Sequence, residues 1–104
     1  MKTVELVNRQ RQPVGSIIWD VQGQITVQID DQVVEAELQA FVAQMQKEGL
    51  LYRSGERVTN VDGDQFIERQ TMITSGDERF PAALADAVNR RSFGGKRIFA
   101  MLKQ

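Results

Sequence analysis

Residues 25–48 read ITVQIDDQVVEAELQAFVAQMQKE, and the spacing of the apolar positions changes inside that stretch. Ile25, Val27 and Ile29 alternate with Thr26, Gln28 and Asp30, the period of two that turns one strand face to a core and the other to water. Past Asp30 and Asp31 the apolar positions become Val34, Leu38, Phe41, Val42 and Met45, which share one face of a helix. An aspartate at the junction can accept backbone N–H bonds as an N-cap, and Gly49 supplies the left-handed residue that closes a helix. A strand therefore runs into a helix over about residues 33–48, and the apolar stripe of that helix is placed to cover a sheet.

Working outward toward the N-terminus, Val4 and Leu6 share one face of a first strand while Thr3, Glu5 and Val7 point the other way. Pro13 and Gly15 mark a turn, Ile17 and Trp19 form one face of a second strand, and Gly23 closes a short connection to the third. Short links between such strands favour an antiparallel meander with one covered face.

Toward the C-terminus, Leu50, Leu51 and Tyr52 read as a short strand, followed by Ser54-Gly55, a segment bearing Val58, and a turn at Asp62-Gly63. Residues 65–74 read as a strand, with a helix from Asp64 as the alternative. Pro81 suits the first position of a second helix, on which Phe80, Leu84 and Val88 stack; Arg90 and Arg91 complement its C-terminal dipole, and Gly94-Gly95 end it. Ile98 to Leu102 are five apolar residues in a row, either a central strand or an edge open to strand addition. The expected fold is one α+β domain over residues 1–104. Its antiparallel sheet has about five to seven short strands with two helices packed on it, in the order βββα-βββ-α-β.

The composition removes several chemistries. The chain has no cysteine and no histidine, so thiolate nucleophiles, disulfides, Ser-His and Cys-His pairs and the commonest transition-metal ligand are all missing. No enzyme activity, catalytic residue, metal or cofactor is expected. Met1 to Asn8 lack the apolar run of a signal peptide, and no stretch approaches the ~20 apolar residues of a membrane span. The expected location is the cytoplasm, in soluble form and without a membrane partner.

The charge is distributed unevenly. Residues 79–104 carry Arg79, Arg90, Arg91, Lys96, Arg97 and Lys103 against Asp86, a net of +5, and residues 1–78 carry a net of −6. At the centre of the basic part, Arg90-Arg91-Ser92-Phe93-Gly94-Gly95-Lys96-Arg97 combines four cations, a flexible glycine pair and an aromatic ring, a set that can bring charge and backbone N–H groups to phosphate while Phe93 stacks on a base. The simpler reading is a helix end followed by a turn. Neither a Walker nor a dinucleotide fingerprint accompanies it. Asp62-Gly63-Asp64 with Glu68 resembles a fragment of a calcium loop, and reads more economically as a turn. The pairs Asp30-Asp31 and Asp77-Glu78 fall where helix caps are needed. Trp19 shares the period of Ile17 and belongs to the core, unless an open sheet face makes it an anchor for a partner.

Together these features point to a small, non-enzymatic protein-binding module that self-associates, as a homodimer, through a sheet edge or an apolar face. The binding candidates are Trp19, Arg90, Arg91, Phe93, Gly94, Gly95, Lys96 and Arg97. The alternative is an RNA or single-stranded nucleic-acid binder using the basic turn.

Overall fold

The computed structural model describes residues 2–103, which form two helices and eight strands in antiparallel sheets. The meander is β1 (Lys2–Val7), β2 (Pro13–Trp19) and β3 (Ile25–Ile29). Its register sets Val4 opposite Ile17 and Ile17 opposite Val27, so the period-two positions converge on one face. At Gly15 a Cβ would run into the Gln28 carbonyl and the Ile29 main chain, so β2 and β3 approach there only because the residue is glycine.

Helix α1 (Gln32–Glu48) begins as the spacing predicts. Asp31 Oδ1 accepts the N–H groups of Val33 at 3.0 Å and Val34 at 3.2 Å. Gly49, at φ 89°, donates its N–H to the Met45 carbonyl at 2.8 Å. Val34, Leu38, Phe41 and Val42 face the core. Helix α2 (Phe80–Asn89) buries Phe80, Leu84 and Val88 on the face the sequence marks, with Pro81 in its first turn. Neither helix is long and apolar enough to cross a membrane.

Between the helices the chain departs from the expected run of short strands. β4 (Leu50–Asn60) and β5 (Gly63–Ile73) are eleven residues each and pair along their whole length. Residues 65–74 are therefore strand up to Ile73, and the break expected at Ser54-Gly55 does not occur. The ring of Phe66 lies over Gly55, so an aromatic side chain covers the position that would otherwise weaken the strand. At the turn, Asn60 Oδ1 accepts the Asp62 N–H at 2.9 Å and Gly63 takes φ 111°. Only the base of this arm is buried, through Leu50 and Ile73 with Tyr52 packed beside them. The molecule is accordingly elongated, 55 Å along its longest axis, with a radius of gyration of 15.7 Å where about 13 Å is usual for this length.

A second departure follows α2. Gly94-Gly95 do not end that helix, whose cap is Arg90. With φ 58° and 74° they form the two-residue turn of a small hairpin, β6 (Ser92–Phe93) and β7 (Lys96–Arg97), the pair of left-handed residues that a type I′ turn demands. β8 (Phe99–Lys103) then pairs with β1, giving the sheet order β3-β2-β1-β8. The apolar run is an edge strand: Ala100 faces the core and Met101 faces water.

Both edges of that sheet are closed by helix side chains. On β8 the Asn89 carboxamide accepts the Ala100 N–H at 2.6 Å and donates to the Ala100 carbonyl at 3.1 Å, standing in for a neighbouring strand. On β3, Glu35 accepts the Ile29 N–H at 2.8 Å and Gln39 donates to the Val27 carbonyl at 3.4 Å. Strand addition to the central sheet is blocked at these positions. Asn89→Leu is expected to lower stability by about 1–3 kcal/mol, the cost of leaving buried backbone groups unpaired, and to raise aggregation on heating. Urea unfolding with turbidity measures both; an unchanged midpoint in a clear solution would contradict the edge-closing role.

Candidate functional site

The basic turn is built into the body, and each of its charges has a partner in the same chain. Lys96 Nζ meets Asp31 Oδ2 at 2.7 Å, Lys103 meets Glu5 at 2.6 Å, Arg79 meets Asp77 at 2.7 Å, and Arg90 meets Asp86 at 3.2 Å. Arg97 donates to the Asn89 carbonyl at 2.7 Å, and the Arg91 guanidinium lies 4.6 Å from the centre of the Phe41 ring. The Gly94 N–H donates to Glu37. The contrast between an acidic body and a basic tail is thus largely satisfied within the chain itself, where the tail clamps the N-terminal half of α1.

Phe93 differs from the sequence expectation. It is 3% exposed, with its ring 5.6 Å from that of Phe41, so it is packed in the core rather than offered to a base. Phe93 is buried while Ser92 and Lys96 stay exposed. Trp19 is likewise core, and its indole Nε1 is buried with no hydrogen-bond partner among the described residues.

The pairs leave a mark on titration. The Arg79 side chain, followed by the Arg79 backbone N–H, holds the Asp77 carboxyl down at about 2, and the Lys96 ammonium, followed by the Val34 N–H, lowers that of Asp31. For a depressed carboxyl the stabilising contribution is complete above its ordinary value of 3.8 and is lost as pH falls through the folded value. Thermal midpoints are therefore expected to fall between about pH 4 and pH 2, and less steeply in Asp77→Asn. Parallel acid limbs for the two proteins would contradict this.

Two features remain that the fold does not consume. The first is a cleft of about 630 Å³ where the β1–β2 turn, the start of α1 and the β6–β7 hairpin meet. Its floor is apolar, from Val14, Ile29, Val34 and Ile98. Arg9, Lys96 and Arg97 bring cations to its lining and Asp30 and Asp31 bring anions, a net of +1. Gly95, Lys96 and Arg97 are the members of the basic turn that reach it, together with Ser92. The sequence signal for this cleft is the basic turn that contains Lys96-Arg97; nothing local points to Asn8-Arg9-Gln10, which also line it.

The second is the β4–β5 arm. One face, set by the pairs Leu51–Met72 and Arg57–Phe66, presents Leu51, Phe66 and Met72 to water, with Phe66 73% exposed. Val61 stands fully exposed at the tip, flanked by Asp62 and Asp64. The Asp64 carboxylate accepts the Thr59 hydroxyl at 2.7 Å, consistent with a turn, and no three metal-ligating side chains converge among the described residues. Arm residues 50–73 carry Arg53, Arg57 and Arg69 against Glu56, Asp62, Asp64 and Glu68, a net of −1. Such a balance supplies no electrostatic attraction to a phosphate backbone. No protein-family model, curated protein or solved structure matches this chain.

Proposed function

We propose that the protein is a non-enzymatic protein-interaction module that self-associates through the β4–β5 arm. The observation that carries this reading is an eleven-residue-per-strand hairpin standing in solvent with Leu51, Phe66 and Met72 on one face. A two-stranded hairpin without a third strand or a packed face is marginal in water, and large exposed apolar side chains gathered on one element mark an interaction surface. Helix side chains close the central sheet at Ala100, Ile29 and Val27, which turns attention from the sheet edge to the arm. The absence of histidine and cysteine supports a binding role over catalysis. Nucleic-acid binding through the basic turn is not favoured, because Lys96 and Arg90 are paired with carboxylates and Phe93 is buried.

The test is light scattering of the purified protein at ~100 μM, a concentration that populates complexes with micromolar Kd. A dimer is expected, and Phe66→Ser with Met72→Ser is expected to weaken it at least about tenfold. Burying each of these side chains is worth about 1.5–3 kcal/mol, and 1.4 kcal/mol is a factor of ten. A monomer at that concentration in low and high salt would overturn the reading.

A further inference from the structure

The arm and the cleft lie at opposite ends of α1. Asp31 caps the helix beside the cleft, Gly49 closes it at the base of the arm, and the 17 residues between span about 25 Å. The tip of the arm and the cleft are complementary in character. Val61, with Asp62 and Asp64 beside it, is an apolar knob carrying two negative charges. The cleft offers an apolar floor, including Val34 and Ile98, under a lining that carries Arg9 and Arg97.

We infer that the arm tip of one copy seats in the cleft of a second copy, Val61 on the apolar floor and Asp62 and Asp64 toward Arg9 and Arg97. This rests on the reading of the arm as the self-association element and specifies what it grips. Lys96 is committed to Asp31 and Arg97 spends one guanidinium N–H on the Asn89 carbonyl, so Arg9 and the remaining N–H groups of Arg97 answer the tip, and Asp30 is the anion the tip must avoid. The tip contributes −2 and the lining +1, so the contact is attractive in sign and weakened by salt.

Two copies that exchange tips about a two-fold axis would make the contact twice. One-way insertion would instead propagate a filament.

The absence of native cysteine makes the contact directly testable by cross-linking. A chain carrying Val61→Cys is mixed with a size-tagged chain carrying Gln10→Cys, which lies on the cleft lining, and oxidised; a tagged chain with Gln46→Cys, near the other end of α1, is the control. Circular dichroism checks that each variant is folded. The expected result is a covalent heterodimer several-fold more abundant with Gln10→Cys than with Gln46→Cys. If wild-type protein dimerises but the two yields are equal, the tip–cleft contact is wrong while arm-mediated association stands. If wild-type protein is a monomer at the working concentration, both fall.

Discussion

Phe80→Ala lowers the free energy of unfolding by about 3–5 kcal/mol, the usual cost of emptying a fully buried aromatic site. Phe80 has no exposed surface, opens α2, and belongs to the same core as Val4, Leu6, Ile17 and Leu38. Its N–H also donates to the Asp77 carbonyl at 3.0 Å, so the ring is fixed by a turn on one side and a helix on the other and little collapse is available. Domains of this size are stable by roughly 5–15 kcal/mol, so the variant is left marginal. Urea titration with the wild-type m-value measures the loss. Phe66→Ala provides the contrast: at a site 73% exposed it gives up only the cross-strand contact over Gly55, and is expected to lower the stability of the monomer by less than about 1 kcal/mol. Comparable losses at the two positions would mean that the arm is packed in solution against part of its own body.

The fold was legible wherever one side of an element is buried. Ile25-Val27-Ile29, the Val34-to-Met45 spacing and the Phe80-Leu84-Val88 stack each leave a period in the sequence because alternate positions meet different solvents. The arm leaves none, since from Arg53 to Met72 nearly every position on both faces is wet. Its strands therefore looked like short pieces interrupted at Ser54-Gly55. What restores continuity is Phe66 over Gly55, a cross-strand contact eleven residues away in sequence. The Asp62-Gly63 signal did place the reversal, because turn chemistry is local.

The basic tail is only partly legible for a related reason. Net charge along a sequence cannot tell an exposed patch from one already paired, and pairing here is long-range: Lys96 finds Asp31 and Lys103 finds Glu5. Glycine pairs are ambiguous in the same way, since a helix end and a type I′ turn both call for left-handed residues. The chain uses Gly94-Gly95 for the turn, which folds Phe93 into the core and delivers Lys96 to the cap of α1. The residues that carry the proposed contact, Arg9 and Val61, lie in turns with no periodic signal, and only the tertiary arrangement sets them at opposite ends of the molecule.

Replacing Arg53–Gln70 with a single Asn-Gly turn is expected to leave a folded monomer. Tyr52 and Thr71 are directly paired, so a two-residue type I′ turn can join them without changing the register below. The truncated hairpin keeps Leu50 and Ile73 in the core and Tyr52 under the Arg79 guanidinium, 5.1 Å from the ring centre. The removed segment contributes nothing to the buried core, so the free energy of unfolding should stay within about 1 kcal/mol of the wild-type monomer, allowing for a shorter loop. Self-association should disappear, because Val61, Phe66 and the acidic tip go together. Sedimentation velocity reports the assembly and urea titration the stability. An unfolded product would make the arm a structural element of the body, and a folded product that still dimerises would move the interface elsewhere, first to the outer sheet face where Phe99 and Met101 lie partly exposed. A folded, strictly monomeric product whose truncated hairpin has stayed in register assigns the exposed length of the arm to binding. Among the described strands the arm is where alternate positions do not differ in burial, because both of its faces meet water.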